Sequence, residues 1–219
     1  MDKVLLCAIA KQENLYIKEW VKYHLELGFD HITIYDNNET DGEKISDVIG
    51  GYPNVNIIDF RGRHQKSCET QVAAYNACYK GASTYDWVMF MDIDEFLWLK
   101  DYTNIKSFLE QSWVKKANVI RFHWKCYSDN GKLKYEDLPV MERFTEVCKN
   151  VEVNYHTKQM YRTKLGTLRI VNVHYTNHVN NIYYPDGKPA PYITTTKDKH
   201  IHDGVAHIKH YVTKRVLSL

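Results

Sequence analysis

Acidic side chains follow two apolar segments of the chain. Asp92 and Asp94 come directly after the apolar run Trp87–Met91, and Asp36 follows the run His31–Tyr35. Ligands of parallel α/β sheets bind at the carboxyl ends of the strands. Carboxylates placed there suit Mg²⁺ or Mn²⁺ bridging a diphosphate. The alternative is that Asp92 and Asp94 cap a following helix, but the apolar run before them and Glu95-Phe96 after them favour a metal site.

The elements that must position these side chains alternate along the first half of the chain. The continuous apolar run Val4–Ala10 is typical of a strand that is covered on both faces. Predicted helices and strands then follow in turn: Tyr16–Leu27 (closed by Gly28), His31–Tyr35, Glu43–Ile49, Val55–Phe60, Cys68–Ala82 and Trp87–Met91. This β-α alternation predicts an α/β domain with a mostly parallel central sheet and flanking helices.

The second half of the chain is less regular. Its pattern predicts a strand over Val119–Tyr127, a short helix over Leu138–Val147, a strand over Thr167–Tyr175 and a long loop over 177–199. Seven of the 11 histidines follow residue 150, and Tyr183, Tyr184 and Tyr192 lie in the predicted loop. We expect one domain over 1–219, with a regular half (1–116) and an irregular half (117–219).

Composition excludes several classes of protein. The hydrophobic fraction is 44%, which suffices for a globular core. The 29 basic and 27 acidic residues nearly cancel, so a nucleic-acid-coating surface is not expected. The five cysteines show no C-x-x-C spacing, no signal peptide pattern is present, and no apolar run reaches the ~20 residues of a membrane span. These features predict a cytoplasmic protein, with peripheral membrane association left open.

Several short motifs together resemble a known family. They are Lys11-Gln12-Glu13-Asn14, Glu19-Trp20-x-x-Tyr23-His24, Ile34-Tyr35-Asp36-Asn37, Phe90-Met91-Asp92-Ile93-Asp94-Glu95-Phe96, Glu142-Arg143-Phe144 and His210-Tyr211-x-x-Lys214. The chain resembles nucleotide-sugar glycosyltransferases with the GT-A fold, in particular bacterial family-2-like enzymes and glycosyltransferase family 92. The resemblance assigns 1–116 to nucleotide-sugar and metal binding and 117–219 to the acceptor.

The resemblance also implies roles for single residues. Nucleotide-sugar binding falls to Ala10, Lys11, Glu13, Asp36, Lys66, Gln71 and Asp92. Asp92 and Asp94 would bind Mn²⁺ or Mg²⁺, with Asp94 the more direct ligand, and His210 would be a third ligand, with His174 as second choice. For Asp36 the alternative is an Asx turn, and for Lys66 a solvated surface lysine.

An inverting transfer needs a general base near the acceptor hydroxyl. The pair Glu136-Asp137, just before the predicted helix from Leu138, resembles the acidic pair of many inverting enzymes of this fold, which makes Asp137 the first candidate, and Asp129 and Glu142 are rivals. Asp137 could instead be a helix N-cap and Glu142 an ion-pair partner of Arg143, so the sequence leaves the base open.

The function that follows is metal-dependent transfer of a sugar from a nucleotide-sugar donor, a UDP-sugar, to a glycan or lipid-linked acceptor in surface polysaccharide synthesis. A nucleotidyltransferase is a second hypothesis, but it would favour a glycine-rich loop where this chain has Lys11–Asn14. The sequence also leaves open a non-catalytic glycan-binding module and a metal-dependent hydrolase.

Overall fold

A computed structural model describes residues 1–63, 67–128, 138–166, 168–176 and 179–211. The first half contains four strands, β1 (Val4–Ala10), β2 (His31–Asp36), β3 (Val55–Asp59) and β4 (Trp87–Phe90), and three helices, α1 (Ile17–Glu26), α2 (Ser46–Ile49) and α3 (Ser67–Gly81). Every strand and helix that the sequence predicts before residue 92 is therefore present. The apolar run of β1 lies in the core, and α1 ends before Gly28, whose φ of 98° favours glycine.

The chain after β4 contributes six more strands and two short helices. They are β5 (Glu95–Leu99), α4 (Ile105–Leu109), β6 (Val119–Ser128), α5 (Val140–Arg143), β7 (Glu146–Val147), β8 (Thr157–Arg162), β9 (Ile182–Tyr183) and β10 (Ala206–His210). Two 3-10 helices, Ser112–Lys116 and Val151–Tyr155, connect them.

The described strands form one mixed sheet in the order β3-β2-β1-β4-β8-β6-β10-β5, with β7 and β9 paired to β6. Strands β1 to β4 are parallel to one another, β6 and β10 are parallel to each other, and β8 is antiparallel to its neighbours β4 and β6. The predicted α/β sheet with flanking helices is thus confirmed. The carboxyl ends of β1, β4 and β6 and the amino end of β8 meet at one edge.

Local structure departs from the sequence patterns at several places, among them β9, which lies within the predicted loop, and β8 and β10, where no strand is predicted. A strand, β5, follows Asp92 and Asp94, so these residues do not cap a helix. The predicted strand over Thr167–Tyr175 is absent from 168–176, where the sheet-like contact is an isolated pair between Ile170 and Thr176. The predicted helix over Leu138–Val147 is reduced to α5, because its last residues pair with β6 as β7.

Apolar side chains cover both faces of the sheet. One cluster packs α1 and α4 against one face through Trp20, Ile17 and Phe108, and the other packs α3 against the opposite face through Tyr75 and Phe90. None of the helices in the described ranges has the length and apolar character needed to span a bilayer.

Candidate nucleotide and metal site

A cavity of about 490 Å³ opens at the carboxyl edge of the sheet, within the size range of small-molecule sites. The end of β1, the loops after β2 and β3, the start of α3 and the turn after β4 form its walls: Ile9, Ala10, Lys11, Glu13, Asn37, Arg63, Thr70, Gln71, Asp92, Ile93 and Asp94. Six residues singled out from the sequence therefore line one cavity: Ala10, Lys11, Glu13, Gln71, Asp92 and Asp94.

Hydrogen bonds hold the Asp92 carboxylate on both sides. Its Oδ1 accepts from Gln71 Nε2 at 2.5 Å and from Tyr75 OH at 3.2 Å, and its Oδ2 accepts from Lys158 Nζ at 2.8 Å. Gln71 and Tyr75 are one turn apart on α3, so they present their polar groups on the same face. The Asp92 side chain is thereby fixed at the wall of the cavity.

Glu95 is the buried acidic residue of the acidic turn, the segment 92–95. Its Oε2 accepts a hydrogen bond from the backbone N–H of Asp92 at 2.8 Å and lies 3.4 Å from Lys158 Nζ. Its Oε1 is buried and has no hydrogen-bond partner among the described residues. Burial raises the pKa of the Glu95 carboxyl to about 7, although the Lys158 charge opposes the shift.

Asp94 faces His210 across the cavity rim. Asp94 Oδ2 lies 3.5 Å from His210 Nε2, while His210 Nδ1 lies 3.7 Å from Cys126 Sγ. Burial alone would lower the pKa of His210, but its contacts with Asp94 and Cys126 and the charges of Asp94 and Glu95 raise that pKa to about 10. This raised pKa favours the protonated form of the ring beside Asp94.

The Asp94–His210 pair fits a divalent cation. Neighbouring ligands of one octahedral ion lie about 3 Å apart, which is close to the observed separation. Carboxylates are ligands of Mg²⁺ and Mn²⁺, and neutral imidazole is a common metal ligand. In the described ranges, no three His, Cys, Asp or Glu side chains are grouped so as to hold an ion. Other ligands would have to come from a bound substrate, as is usual for Mg²⁺ at phosphates.

The motif Glu19-Trp20-x-x-Tyr23-His24 positions the acidic turn without lining the cavity. Trp20 Nε1 donates to the Glu95 carbonyl at 2.8 Å, and Tyr23 OH donates to the Leu97 carbonyl at 2.7 Å. His24 Nε2 accepts from the Leu97 N–H at 3.3 Å. One face of α1 thus holds the backbone of β5, the strand that begins immediately after Asp94.

The resemblance implies that Asp36 binds the nucleotide, but the structure places its neighbour Asn37 at the cavity wall. Asp36 is buried, and its carboxylate accepts hydrogen bonds from Asn38 and from the backbone N–H of Ile45. It does not line the cavity, whereas Asn37 does. The Asn37 Oδ1 atom is buried and has no partner among the described residues. Asp36 therefore shapes the loop in the manner of an Asx turn, its binding role stays a prediction, and Asn37 offers an acceptor to a ligand.

Two cationic side chains line the cavity. Lys11 Nζ forms an ion pair with Glu39 Oε1 at 2.6 Å. The Arg63 guanidinium lies over the Phe60 ring, 3.9 Å from its centroid. A cation–π contact of this kind orients an arginine while leaving its N–H groups available for hydrogen bonds to phosphate.

The remaining residues singled out from the sequence lie elsewhere. Lys66, Asp129 and Asp137 fall outside the described residues. Glu142 lies on α5 and does not line the cavity. His174 Nδ1 lies 2.9 Å from the Thr157 carbonyl, and its ring contacts Trp124 and His156. The structure therefore brings His210, not His174, to Asp94.

Sequence patterns do not single out three residues that the structure places at the site: Lys158, Asn37 and Arg63. The segment Thr157-Lys158-Gln159 is polar and its pattern predicts no strand, yet all three residues are buried in β8. The sequence signal that could have indicated this strand is the apolar pair Met160-Tyr161, which follows Lys158 by two residues. Arg63 and Asn37 follow closely after strands, as Asp36 does, and strand-end position is the signal for both.

Comparisons with known proteins agree on one family. Residues 3–216 match the model of glycosyltransferase family 92. A family 92 protein of Oryza sativa subsp. japonica is 23% identical over 89% of the chain and 37% of its own length. One of Ricinus communis is 28% identical over 58% of the chain and 22% of its own length. The chain thus spans well under half of the curated relatives that it matches.

Solved structures show weaker likeness. Staphylococcus aureus TarS, residues 1–349, has a TM-score of 0.46 and 12% identity, covering 74% of this chain and 47% of its own. The mannosyltransferase PcManGT of Pyrobaculum calidifontis, solved with GDP-Man and Mn²⁺, has a TM-score of 0.40 and 12% identity, covering 54% of this chain and 34% of its own. At TM-scores below 0.5 these likenesses carry no argument about the ligands of this chain.

Proposed function

The chain belongs to glycosyltransferase family 92, and we propose that it transfers a sugar from a UDP-sugar to a hydroxyl group of a glycan or lipid-linked acceptor. We propose surface polysaccharide synthesis as the setting of this reaction. The observation that carries the proposal is the Asp94–His210 pair at the rim of a cavity large enough for a nucleotide.

The two ends of the donor fit different walls of the cavity. The buried Asn37 Oδ1, which has no hydrogen-bond partner in the part of the chain that the structure describes, is suited to accept the imide N–H of uracil. Arg63 and Lys11 are suited to the diphosphate, since guanidinium and ammonium groups bind phosphate oxygens with charge-assisted hydrogen bonds. The donor would then extend from Asn37 toward the acidic turn, where its sugar is released.

Asp94 and His210 would hold Mn²⁺ or Mg²⁺ beside the diphosphate. When bound, the ion would offset the charge that develops on the leaving diphosphate. The protein itself keeps the two ligand side chains in place: the Tyr211 N–H donates to the Asp94 carbonyl at 2.9 Å, and β10 pairs with β5 directly after the acidic turn. His210 must lose its proton to bind the ion, because only neutral imidazole is a ligand.

The acceptor hydroxyl would give its proton to a carboxylate as its oxygen bonds to the anomeric carbon of the sugar. The bond from that carbon to the nucleoside diphosphate would break in the same step, with inversion of configuration at the carbon. Asp137 is our first candidate for this general base, and Asp129 and Glu142 are its rivals. A carboxylate in this role must lie within hydrogen-bond reach of the acceptor oxygen.

Thermal unfolding in a panel of nucleotide sugars, with and without Mn²⁺, tests the proposed function. We expect a UDP-sugar to stabilise the protein only when Mn²⁺ is present, by about 2.7 kcal/mol at a hundredfold excess over Kd. Stabilisation by no nucleotide sugar in either condition would contradict a glycosyltransferase. Equal stabilisation with and without the metal would contradict metal dependence.

A further inference from the structure

Lys158 is a buried cation next to the acidic turn. Its side chain is 0% exposed, and its ammonium group lies 2.8 Å from Asp92 Oδ2 and 3.4 Å from Glu95 Oε2. Lys158 lies in β8, the strand between β4 and β6, so a different part of the chain supplies the charge that balances the turn. A lysine is rarely buried unless it is paired. Here the ion pair with Lys158 offsets the charge of Asp92, one of the two carboxylates of the Asp92-x-Asp94 motif.

The remaining contacts of Asp92 also direct hydrogen-bond donors at its carboxylate oxygens. Its Oδ1 already accepts from Gln71 and Tyr75, so both oxygens have donors at hydrogen-bond distance. Its charge is paired with the Lys158 ammonium group at 2.8 Å. Asp94, in contrast, faces His210 at 3.5 Å. The two aspartates of the motif therefore have different surroundings, and Asp94 has the one suited to a metal ion.

The balance of charge has a consequence for metal binding. Because Lys158 offsets one of the negative charges of the acidic turn, a cation approaching Asp94 meets less net negative charge than three carboxylates would present. Resting on the metal-dependent function proposed above, we propose that Lys158 is a positioning residue that keeps Asp92 out of the metal's coordination. Lys158 thereby weakens binding of the free ion, so that the ion binds together with the nucleotide diphosphate, whose oxygens supply the missing ligands.

Two variants test this proposal by Mn²⁺ binding, measured from the electron paramagnetic resonance signal of the free ion. We expect the unmodified protein to bind Mn²⁺ alone weakly and to bind it tightly when UDP is present. Lys158→Met removes a positive charge close to the ion, so Mn²⁺ alone should bind about tenfold more tightly. Unchanged or weaker binding by this variant would overturn the proposal.

The second variant keeps the net charge constant. Asp92→Asn combined with Lys158→Met removes a buried ion pair, a change that proteins often tolerate, so it protects the test if the single variant does not fold. Because Asp92 lines the cavity and is a candidate nucleotide contact, UDP is held at a saturating concentration, so that a loss of nucleotide affinity does not register as a loss of metal binding. If Asp92 is not a metal ligand, Mn²⁺ affinity measured in this way should stay within about threefold of that of the unmodified protein, which is less than about 1 kcal/mol. A loss of about tenfold or more would make Asp92 a metal ligand and overturn the proposal.

The matched control removes another buried ion pair of the same length. Arg121 NH1 and Asp198 Oδ2 lie 2.8 Å apart, and both side chains are 1% exposed. Arg121→Met combined with Asp198→Asn should leave Mn²⁺ binding unchanged. A protein that binds no Mn²⁺ even with UDP would overturn both the Lys158 proposal and the proposed function. Normal Mn²⁺–UDP binding together with an unresponsive Lys158→Met variant would overturn the Lys158 proposal alone.

Discussion

His210 Nε2 lies 3.5 Å from Asp94 Oδ2, which brings the last strand of the sheet to the turn that follows its fourth strand. The pairing of β10 with β5 sets this contact, because His210 is opposite Glu95 in the register. A residue late in the chain thus completes a site whose other side chains come mostly from the first half.

Removing either member of this pair should abolish the metal dependence of nucleotide binding. We expect Asp94→Asn and His210→Ala each to eliminate the additional thermal stabilisation that Mn²⁺ gives in the presence of UDP. His207→Ala serves as control, since His207 lies in the same strand and contacts Trp98 instead of the acidic turn. A Mn²⁺ effect of full size in Asp94→Asn would refute the assignment.

Asn37 should contribute to nucleotide affinity, and Asp36 to stability. Asn37→Ala removes the buried acceptor at the cavity wall, so UDP affinity measured by calorimetry should fall about tenfold, the effect of one good hydrogen bond. Asp36→Asn should instead lower the melting temperature, because its carboxylate accepts hydrogen bonds that shape the loop. Asn118→Ala, away from the cavity, is the control for Asn37. Unaltered UDP affinity in Asn37→Ala would remove Asn37 from the site.

Arg63 should bind the diphosphate in a salt-dependent manner. Arg63→Ala should weaken UDP binding about tenfold at low ionic strength and less at high salt, because Arg63 is exposed and its charge is screened. Lys22→Ala removes an exposed cation from α1 and should have no effect. Uridine, which lacks the diphosphate, should bind both variants equally well. A loss of uridine binding in Arg63→Ala would mean that Arg63 contacts the nucleoside.

Replacing the general base should lower the rate of sugar transfer without changing the affinity for the donor nucleotide. Of the variants Asp137→Asn, Asp129→Asn and Glu142→Gln, we expect Asp137→Asn to lower the transfer rate by about 10²–10⁴-fold. UDP–Mn²⁺ affinity should not change, since the base acts on the acceptor. Sugar transfer and UDP binding measured on the same preparations check this. Full activity in Asp137→Asn would pass the assignment to whichever rival variant is inactive.

Buried histidines should make the protein sensitive to mild acid. Burial lowers the pKa of His24 to about 3 and the pKa values of His123, His174 and His207 to about 4. Unfolded histidine titrates near about 6.5, so the unfolded state binds more protons below that pH and folding stability falls as the pH is lowered. Four such groups give a slope of up to about 5 kcal/mol per pH unit, and Glu95, whose raised pKa makes the folded state bind a proton first, offsets about one quarter of it, leaving about 4 kcal/mol per pH unit.

Urea unfolding between about pH 6.5 and pH 5 measures this slope. The free energy of unfolding should be greatest near about pH 6.5, because the raised pKa of His210 stabilises the folded state less as the pH rises above that value. His207→Gln should reduce the slope by about one third, because one proton fewer is taken up on unfolding. An unchanged slope in His207→Gln would show that this histidine is already protonated in the folded protein.

Sequence patterns are informative where one residue type repeats at the period of its element. The apolar run of β1 and the helical spacing of α1 are present in the structure at nearly the predicted bounds. The acidic residues Asp92 and Asp94 lie at a strand end lining the cavity, as their position after an apolar run indicates. Local pattern suffices there, because burial on both faces demands continuous hydrophobicity.

Patterns fail where long-range pairing determines the environment. Lys158 is polar by type, and only its pairing with Asp92 and Glu95 makes its burial tolerable. Asp36 and Asn37 are adjacent and chemically similar, and the turn conformation alone decides which one reaches the cavity. Contacts of this kind join residues far apart in the chain or depend on a few backbone angles, and a single sequence encodes neither in a local pattern.

The attachment of α1 to β5 also bears on association between chains. Strand β5 ends one side of the sheet, and the outer strand of a sheet usually exposes N–H and C=O groups that recruit further strands. Here Trp20, Tyr23 and His24 engage the Glu95 and Leu97 backbone groups. Side chains of one helix thus protect this border of the sheet against intermolecular strand addition.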